Sequence, residues 1–153
     1  MQRAKNSNIN TYIIKSKETS EVGVELEEVL QNYDIDLIVL AGYLRMISPN
    51  LIKKYTIINT HPSLLPKFGG KGMYGMNVHR AVIESKEKVS GVTLHYVDEH
   101  YDTGSIIKQT KVDVLDTDTP EDLSAKVQKA EKIQLVDVLC NFAKQKIDKG
   151  VKR

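Results

Sequence analysis

Asn59, His61 and Asp102 are the residues whose types and spacing could do chemistry. In Ile57-Ile58-Asn59-Thr60-His61-Pro62-Ser63-Leu64-Leu65-Pro66 an apolar run ends on an amide and an imidazole, and Asp98-Glu99-His100-Tyr101-Asp102-Thr103-Gly104 supplies a carboxylate about forty residues later. The ends of strands are where open α/β folds present reactive groups. Asn59 and His61 lie two apart, so a continuing strand geometry turns both side chains to one side, beyond the strand's end. An amide and a protonated imidazole beside a formyl or acyl carbonyl would stabilise the oxyanion of a tetrahedral intermediate by on the order of 3 kcal/mol per donor. A carboxylate close to His61 would hold the imidazolium in its charged form and relay a proton. Together the three groups can handle an acyl transfer. Each also has an ordinary reading: Asn59 as a turn residue, His61 as a partly exposed loop histidine, and Asp102 as part of a solvated turn.

The other chemistry-bearing residues are weaker signals. His79, His95 and His100 could join His61 around a metal, but no His-x-x-x-His or His-Glu-x-x-His spacing is present, so no metal is expected. His79 sits in a helical pattern and His95 alternates within a strand, which puts structural roles first for both. The glycine-rich Gly69-Gly70-Lys71-Gly72-Met73-Tyr74-Gly75 lacks the spacing of a phosphate-cradling loop and reads as a flexible lid or a helix entry. Arg45, in Leu44-Arg45-Met46-Ile47, follows a buried strand and faces either a ligand crevice or a surface turn.

The elements that must position these groups follow from pattern. Ile9 to Ile14 reads as a short strand, then Val22, Leu26, Val29, Leu30 and Tyr33 recur at helical spacing. Residues 35–41 form a nearly continuous apolar run, as in a parallel strand buried on both faces. Ser48-Pro49 opens a short helix, with the serine as cap and proline at the first turn. Tyr55 to Asn59 is the next strand, and a helix runs from Met76 to Lys86. Val89 to Val97 and Ser105 to Val114 are two β-rich runs. Thr119-Pro120-Glu121-Asp122 starts a final helix that buries Leu135, Val138, Leu139 and Phe142. Strands alternating with helices predict an α/β fold with a doubly wound, mostly parallel sheet, forming one domain over residues 1–153. The 22 basic and 20 acidic residues nearly cancel, which gives no support for a nucleic-acid or membrane partner. With one cysteine, Cys140, and no signal-peptide or bilayer-spanning stretch, the expectation is a cytoplasmic protein.

Asn59-Thr60-His61-Pro62-Ser63-Leu64-Leu65-Pro66, with Ala41-Gly42-Tyr43-Leu44-Arg45-Met46-Ile47 before it and Ser90 to Glu99 and Asp102-Thr103-Gly104 after it, resembles the phosphoribosylglycinamide formyltransferases. These are the folate-dependent glycinamide ribonucleotide transformylases of purine biosynthesis. The resemblance runs over nearly the whole chain, and the ordered set of three motifs is highly specific. The Asn-x-His-x-Ser-Leu-Leu-Pro pattern is shared with methionyl-tRNA formyltransferases, and formyltetrahydrofolate hydrolases carry a related site. The segment Gly70 to Gly75 before Val78-His79 looks like the purine-pathway branch. The resemblance implies Asn59, His61 and Asp102 as catalytic groups acting without a metal. It implies 10-formyltetrahydrofolate as cosubstrate, held along Leu44, Arg45, Met46, Ile47, Val97, Asp98 and Asp102. Gln128 and Glu131 match positions that face the glycinamide ribonucleotide.

Departures from the family's pattern qualify what is implied. Family members carry a first strand, a phosphate-binding glycine/serine/asparagine loop, a helix and a second strand ahead of the region where this sequence begins, so the expected sheet lacks those N-terminal strands and the phosphate loop. Thr19 stands where an arginine is usual, and Lys132 and Val136 replace a histidine and a proline. The alternative reading is a weakly active or inactive fragment, at most a folate-binding or interaction module. Its open sheet edges would then pair with another chain, for example in a homodimer.

Overall fold

The computed structural model describes residues 2–150, so the expected domain over 1–153 extends past the described residues at both ends. Its elements are α1 (Gln2–Asn6), α2 (Thr19–Leu30), β1 (Ile38–Leu40), α3 (Pro49–Lys54), β2 (Ile57–His61), α4 (Met76–Glu84), β3 (Val89–Tyr96), β4 (Ile106–Asp113) and α5 (Pro120–Gly150). The strands form one sheet in the order β1-β2-β3-β4.

Local chemistry accounts for the helix starts. Ser48 caps α3 by accepting the Leu51 N–H at 3.3 Å, with Pro49 at the first position, where no amide proton is needed. At the start of α5, Thr119 Oγ1 accepts the Asp122 N–H at 3.1 Å while the Asp122 carboxylate accepts the Thr119 N–H at 3.0 Å. This reciprocal pair is a capping box.

Neighbouring residues of β2 point to opposite faces and so build two cores. Ile57 packs with Ile47 and Leu51 against Leu26 and Leu30 of α2. Ile58 packs with Leu94 and Val138 against Leu135, Leu139 and Phe142 of α5. A third cluster joins Val82 of α4, Val92 of β3 and Leu123 and Val127 of α5. Helices therefore cover both faces of the sheet, which is the α/β architecture the pattern predicts. Full burial of one such side chain contributes roughly 1.5–3 kcal/mol.

Three expectations are corrected. The sheet is mixed rather than mostly parallel, since β1 and β2 run parallel but β2–β3 and β3–β4 are antiparallel. For β3–β4 the reason is connectivity: β3 returns to β4 through the short 97–105 segment, which cannot carry a parallel crossover, whereas β2 and β3 are antiparallel across the longer connection that contains α4. That return is tight, because a Cβ at Gly104 would lie 1.8 Å from the Tyr96 carbonyl oxygen. The segment Ile9 to Ile14 forms no strand. It has no ladder partner, and Ile9, Tyr12 and Ile13 are 59%, 56% and 64% exposed. It is followed by an anchor, where the Lys15 and Ser16 amides donate to the Glu25 carboxylate at 2.9–3.1 Å. Finally, β2 extends to His61, two residues past the expected end, because His61 pairs with Thr93 of β3. Among the described residues no helix is long and apolar enough to cross a membrane.

Candidate active site

Residues directly opposite each other in an antiparallel pair share a face, so the pairings Asn59–His95 and His61–Thr93 set Asn59, His61 and His95 on the same side of the sheet. Asp102 reaches them from the segment after β3, with its backbone at φ +57°. His61 Nδ1 lies 3.4 Å from Asp102 Oδ2, and His95 Nε2 lies 3.6 Å from Asp102 Oδ1. The three groups singled out by spacing are thus brought together, and His95 is a fourth.

Carbonyl acceptors assign the imidazole protons. A carbonyl oxygen can only accept, so the Tyr96 carbonyl, 2.8 Å from His95 Nδ1, places the proton there and leaves Nε2 to accept from Asn59 Nδ2 at 3.3 Å. One Asn59 N–H remains for a ligand. The Phe68 carbonyl, 2.8 Å from His61 Nε2, takes that nitrogen's proton, leaving Nδ1 facing Asp102. The Gly70 N–H donates to Asp102 Oδ2 at 2.9 Å. The glycine-rich segment is therefore more than a lid or a helix entry: its Gly70 N–H grips Asp102, and the Phe68 carbonyl just ahead of it grips His61.

Burial decides the charge of His61, which is 3% exposed. Desolvation pushes its pKa below the ordinary value and outweighs the upward pull of Asp102 and the Phe68 carbonyl; His95 adds to the depression. His61 is neutral at pH 7 in the free protein, which corrects the expectation of a protonated imidazole already in place. Asp102 shows the opposite balance. Burial raises its pKa, but the neighbouring His95 side chain, the Gly70 N–H and the adjacent His61 ring together bring it below the usual carboxylate range. Asp102 is ionised, and a proton gained at His61 Nδ1 would sit against it.

These groups line a cavity of about 740 Å³. Leu44, Arg45, Met46 and Ile47 form one wall with Val97 and Asp98, and Gln128 and Glu131 of α5 form another. All the residues singled out for binding thus face one space. Arg45 donates to the Lys17 carbonyl, Gln128 to Ser124 Oγ at 3.2 Å, and Glu131 Oε1 accepts from Thr60 Oγ1 at 2.8 Å. His79 also lines the cavity, with its pKa lowered by burial and then by His61. Among the described residues no group of three or more His, Cys, Asp or Glu side chains is placed to hold a metal ion. Reading by spacing missed His95 because its role depends on the β2–β3 register; the signal open to it was that His95 shares strand parity with Thr93.

Comparison with known proteins agrees with this geometry. The chain is 44% identical over 147 residues to the chloroplastic phosphoribosylglycinamide formyltransferase of Vigna unguiculata, covering 91% of this chain and 47% of that protein. The corresponding Arabidopsis thaliana protein is 46% identical over 125 residues, covering 80% of this chain and 43% of the relative. The chain spans about half the length of the chloroplastic relatives it matches. Among solved structures, the phosphoribosylglycinamide formyltransferase of Coxiella burnetii superimposes with a TM-score of 0.82 at 34% identity, over 94% of this chain and 68% of that one. The Bacillus halodurans enzyme gives 0.75 at 38% identity, over 85% of this chain and 67% of that one. The family model described as formyl transferase matches residues 1–139, and with an amide, an imidazole and a carboxylate meeting at the end of β2, the chain belongs to the formyl transferase family.

Proposed function

We propose that the chain transfers a formyl group from 10-formyltetrahydrofolate to the amine of glycinamide ribonucleotide. The observation that carries this reading is the meeting of Asn59, His61 and Asp102 on the floor of one cavity. The wall of Leu44, Met46, Ile47 and Val97 suits a flat heteroaromatic ring, while Arg45 offers a cation to an acidic tail. Gln128 and Glu131 offer hydrogen-bonding groups to a ribose from the opposite wall.

The residues divide the work as follows. The free Asn59 N–H donates to the formyl oxygen as negative charge develops there, an effect of about 3 kcal/mol. His61, neutral before reaction, accepts the proton shed by the attacking amine at Nδ1. Asp102 stabilises the resulting imidazolium at 3.4 Å, and the proton then passes to the departing nitrogen of the folate. His95 holds Asn59 in register and keeps its amide oriented.

The test is formyl transfer assayed with the full chain and both substrates. His61→Ala is expected to lower the rate by roughly 10²- to 10⁴-fold while the fold is kept. A wild-type rate no higher than that of His61→Ala would defeat the proposal.

A further inference from the structure

We infer that Gln109, on the sheet's edge strand, is a positioning residue that fixes the loop on which His61 depends. In register, His61 of β2 faces Thr93 of β3, and Thr93 faces Gln109 of β4. The three side chains form a row across three strands on one face of the sheet. Only the first belongs to the reacting groups.

Hydrogen-bond directions along this row are fully determined. Gln109 Nε2 donates to the Leu65 carbonyl at 3.0 Å and to Thr93 Oγ1 at 2.9 Å. Thr93 Oγ1 also accepts the Leu65 N–H at 3.0 Å. A hydroxyl has two acceptor sites and one proton, so with both sites filled the Thr93 proton goes to the Ser63 carbonyl, 2.6 Å away. Ser63 Oγ in turn donates to the Lys67 carbonyl at 2.6 Å. The next carbonyl, that of Phe68, accepts the His61 Nε2 proton. Gln109 thus supplies both amide protons at the head of a chain that ends at the imidazole. Gln109 itself lies exposed on the edge strand, but the groups it holds are covered: Thr93 and Ser63 are 0% exposed and Leu65 is 6% exposed, so a lost donor leaves buried acceptors behind. Losing the Gln109 donors strands the Leu65 carbonyl and loosens the turn that carries Phe68.

The inference rests on His61 being the reacting base, but its test needs no turnover. Imidazole ¹⁵N–¹H spectra of the full chain are expected to show a protected His61 Nε2–H, assigned by its absence in His61→Gln, and a slowly exchanging Leu65 amide. Gln109→Met keeps length and loses both donors; both exchange rates are expected to rise at least about tenfold. Gln109→Glu, an acceptor of the same size, is expected to do the same. Where transfer is measured, kcat falls roughly 10- to 100-fold with both KM values held within about threefold. Wild-type exchange rates in either folded variant would overturn the inference, and so would free exchange of both protons in the wild-type chain. A chain that shows the Gln109 dependence but transfers no formyl group would refute the proposed reaction and leave this inference standing.

Discussion

Residues 2–40 and residues 57–113 are stabilised in different ways. In the second region Ile58, Val92, Leu94 and Thr93 are essentially inaccessible, and backbone ladders tie three strands together. In the first region α1 buries nothing, β1 is only half-buried with one ladder neighbour, and Ile9, Tyr12, Ile13 and Val24 face solvent. Its apolar fastening is confined to one face of α2 and to β1, where Val22 is buried and Leu26, Leu30, Ile38 and Leu40 are partly buried; the segment before α2 is held by Glu25 on two amides and by the Tyr12–Tyr33 edge-to-face pair with ring centroids 5.9 Å apart. The lesson is that the reacting groups stand on the interior-like half, where a displaced side chain has no slack to move into.

This contrast can be broken most severely at Leu94. Leu94→Ala removes a 1% exposed side chain from the cluster with Ile58 and Val138, and is expected to cost about 2–5 kcal/mol, read as a lowered urea midpoint. An effect below 1 kcal/mol, on the order of a surface substitution, would mean that the core collapses around the gap and that the contrast is overstated.

A smaller effect comes from pH. The folded protein holds His61 below its ordinary 6.5, so it binds fewer protons there than the unfolded chain does. The contribution of neutral His61 is therefore complete above about 6.5 and is lost progressively as the pH falls toward the lower folded value. Transfer activity is expected to fall in the same acidic direction, with a midpoint below 6.5 that follows His61 in an NMR titration. A midpoint above 6.5 would show that Asp102 outweighs burial. Asp102 is held below its ordinary 3.8, so its contribution is complete above about 3.8 and is lost as the pH falls from there through its lower folded value.

The smallest effect belongs to the first region. Ile13→Ser replaces a side chain that is already 64% exposed and is expected to shift stability by no more than about 0.5 kcal/mol. A loss comparable to that of Leu94→Ala would show that the segment is covered in solution.

Much of the local structure was legible because its causes are local. Ser48-Pro49 and Thr119-Pro120-Glu121-Asp122 carry their caps in consecutive residues, and the helix and strand periods of the middle of the chain needed no tertiary information. Asn59 and His61 were legible for the same reason, being two positions apart on one strand. The position of Asp102 beside His61 came from resemblance alone, because no local rule brings residues 41 positions apart to 3.4 Å. His95 and Gln109 were hidden because each depends on which residue faces it across a ladder. The strand expected at Ile9 to Ile14 failed for a related reason: alternation and β-branching report a preference, whereas a strand exists only with a partner.

The backbone of Asp102 at φ +57° has a consequence for how this site can vary. In that conformation a β-branched or bulky side chain is penalised before it meets any neighbour, whereas Asn and Gly are accommodated. The position is thus screened twice, once by the main chain and once by His61 and His95. Random substitution here will mostly report misfolded loops, and Asp102→Asn is the exchange that separates charge from shape. A descendant that gave up the chemistry while keeping the fold would be expected to carry Asn or Gly at this position.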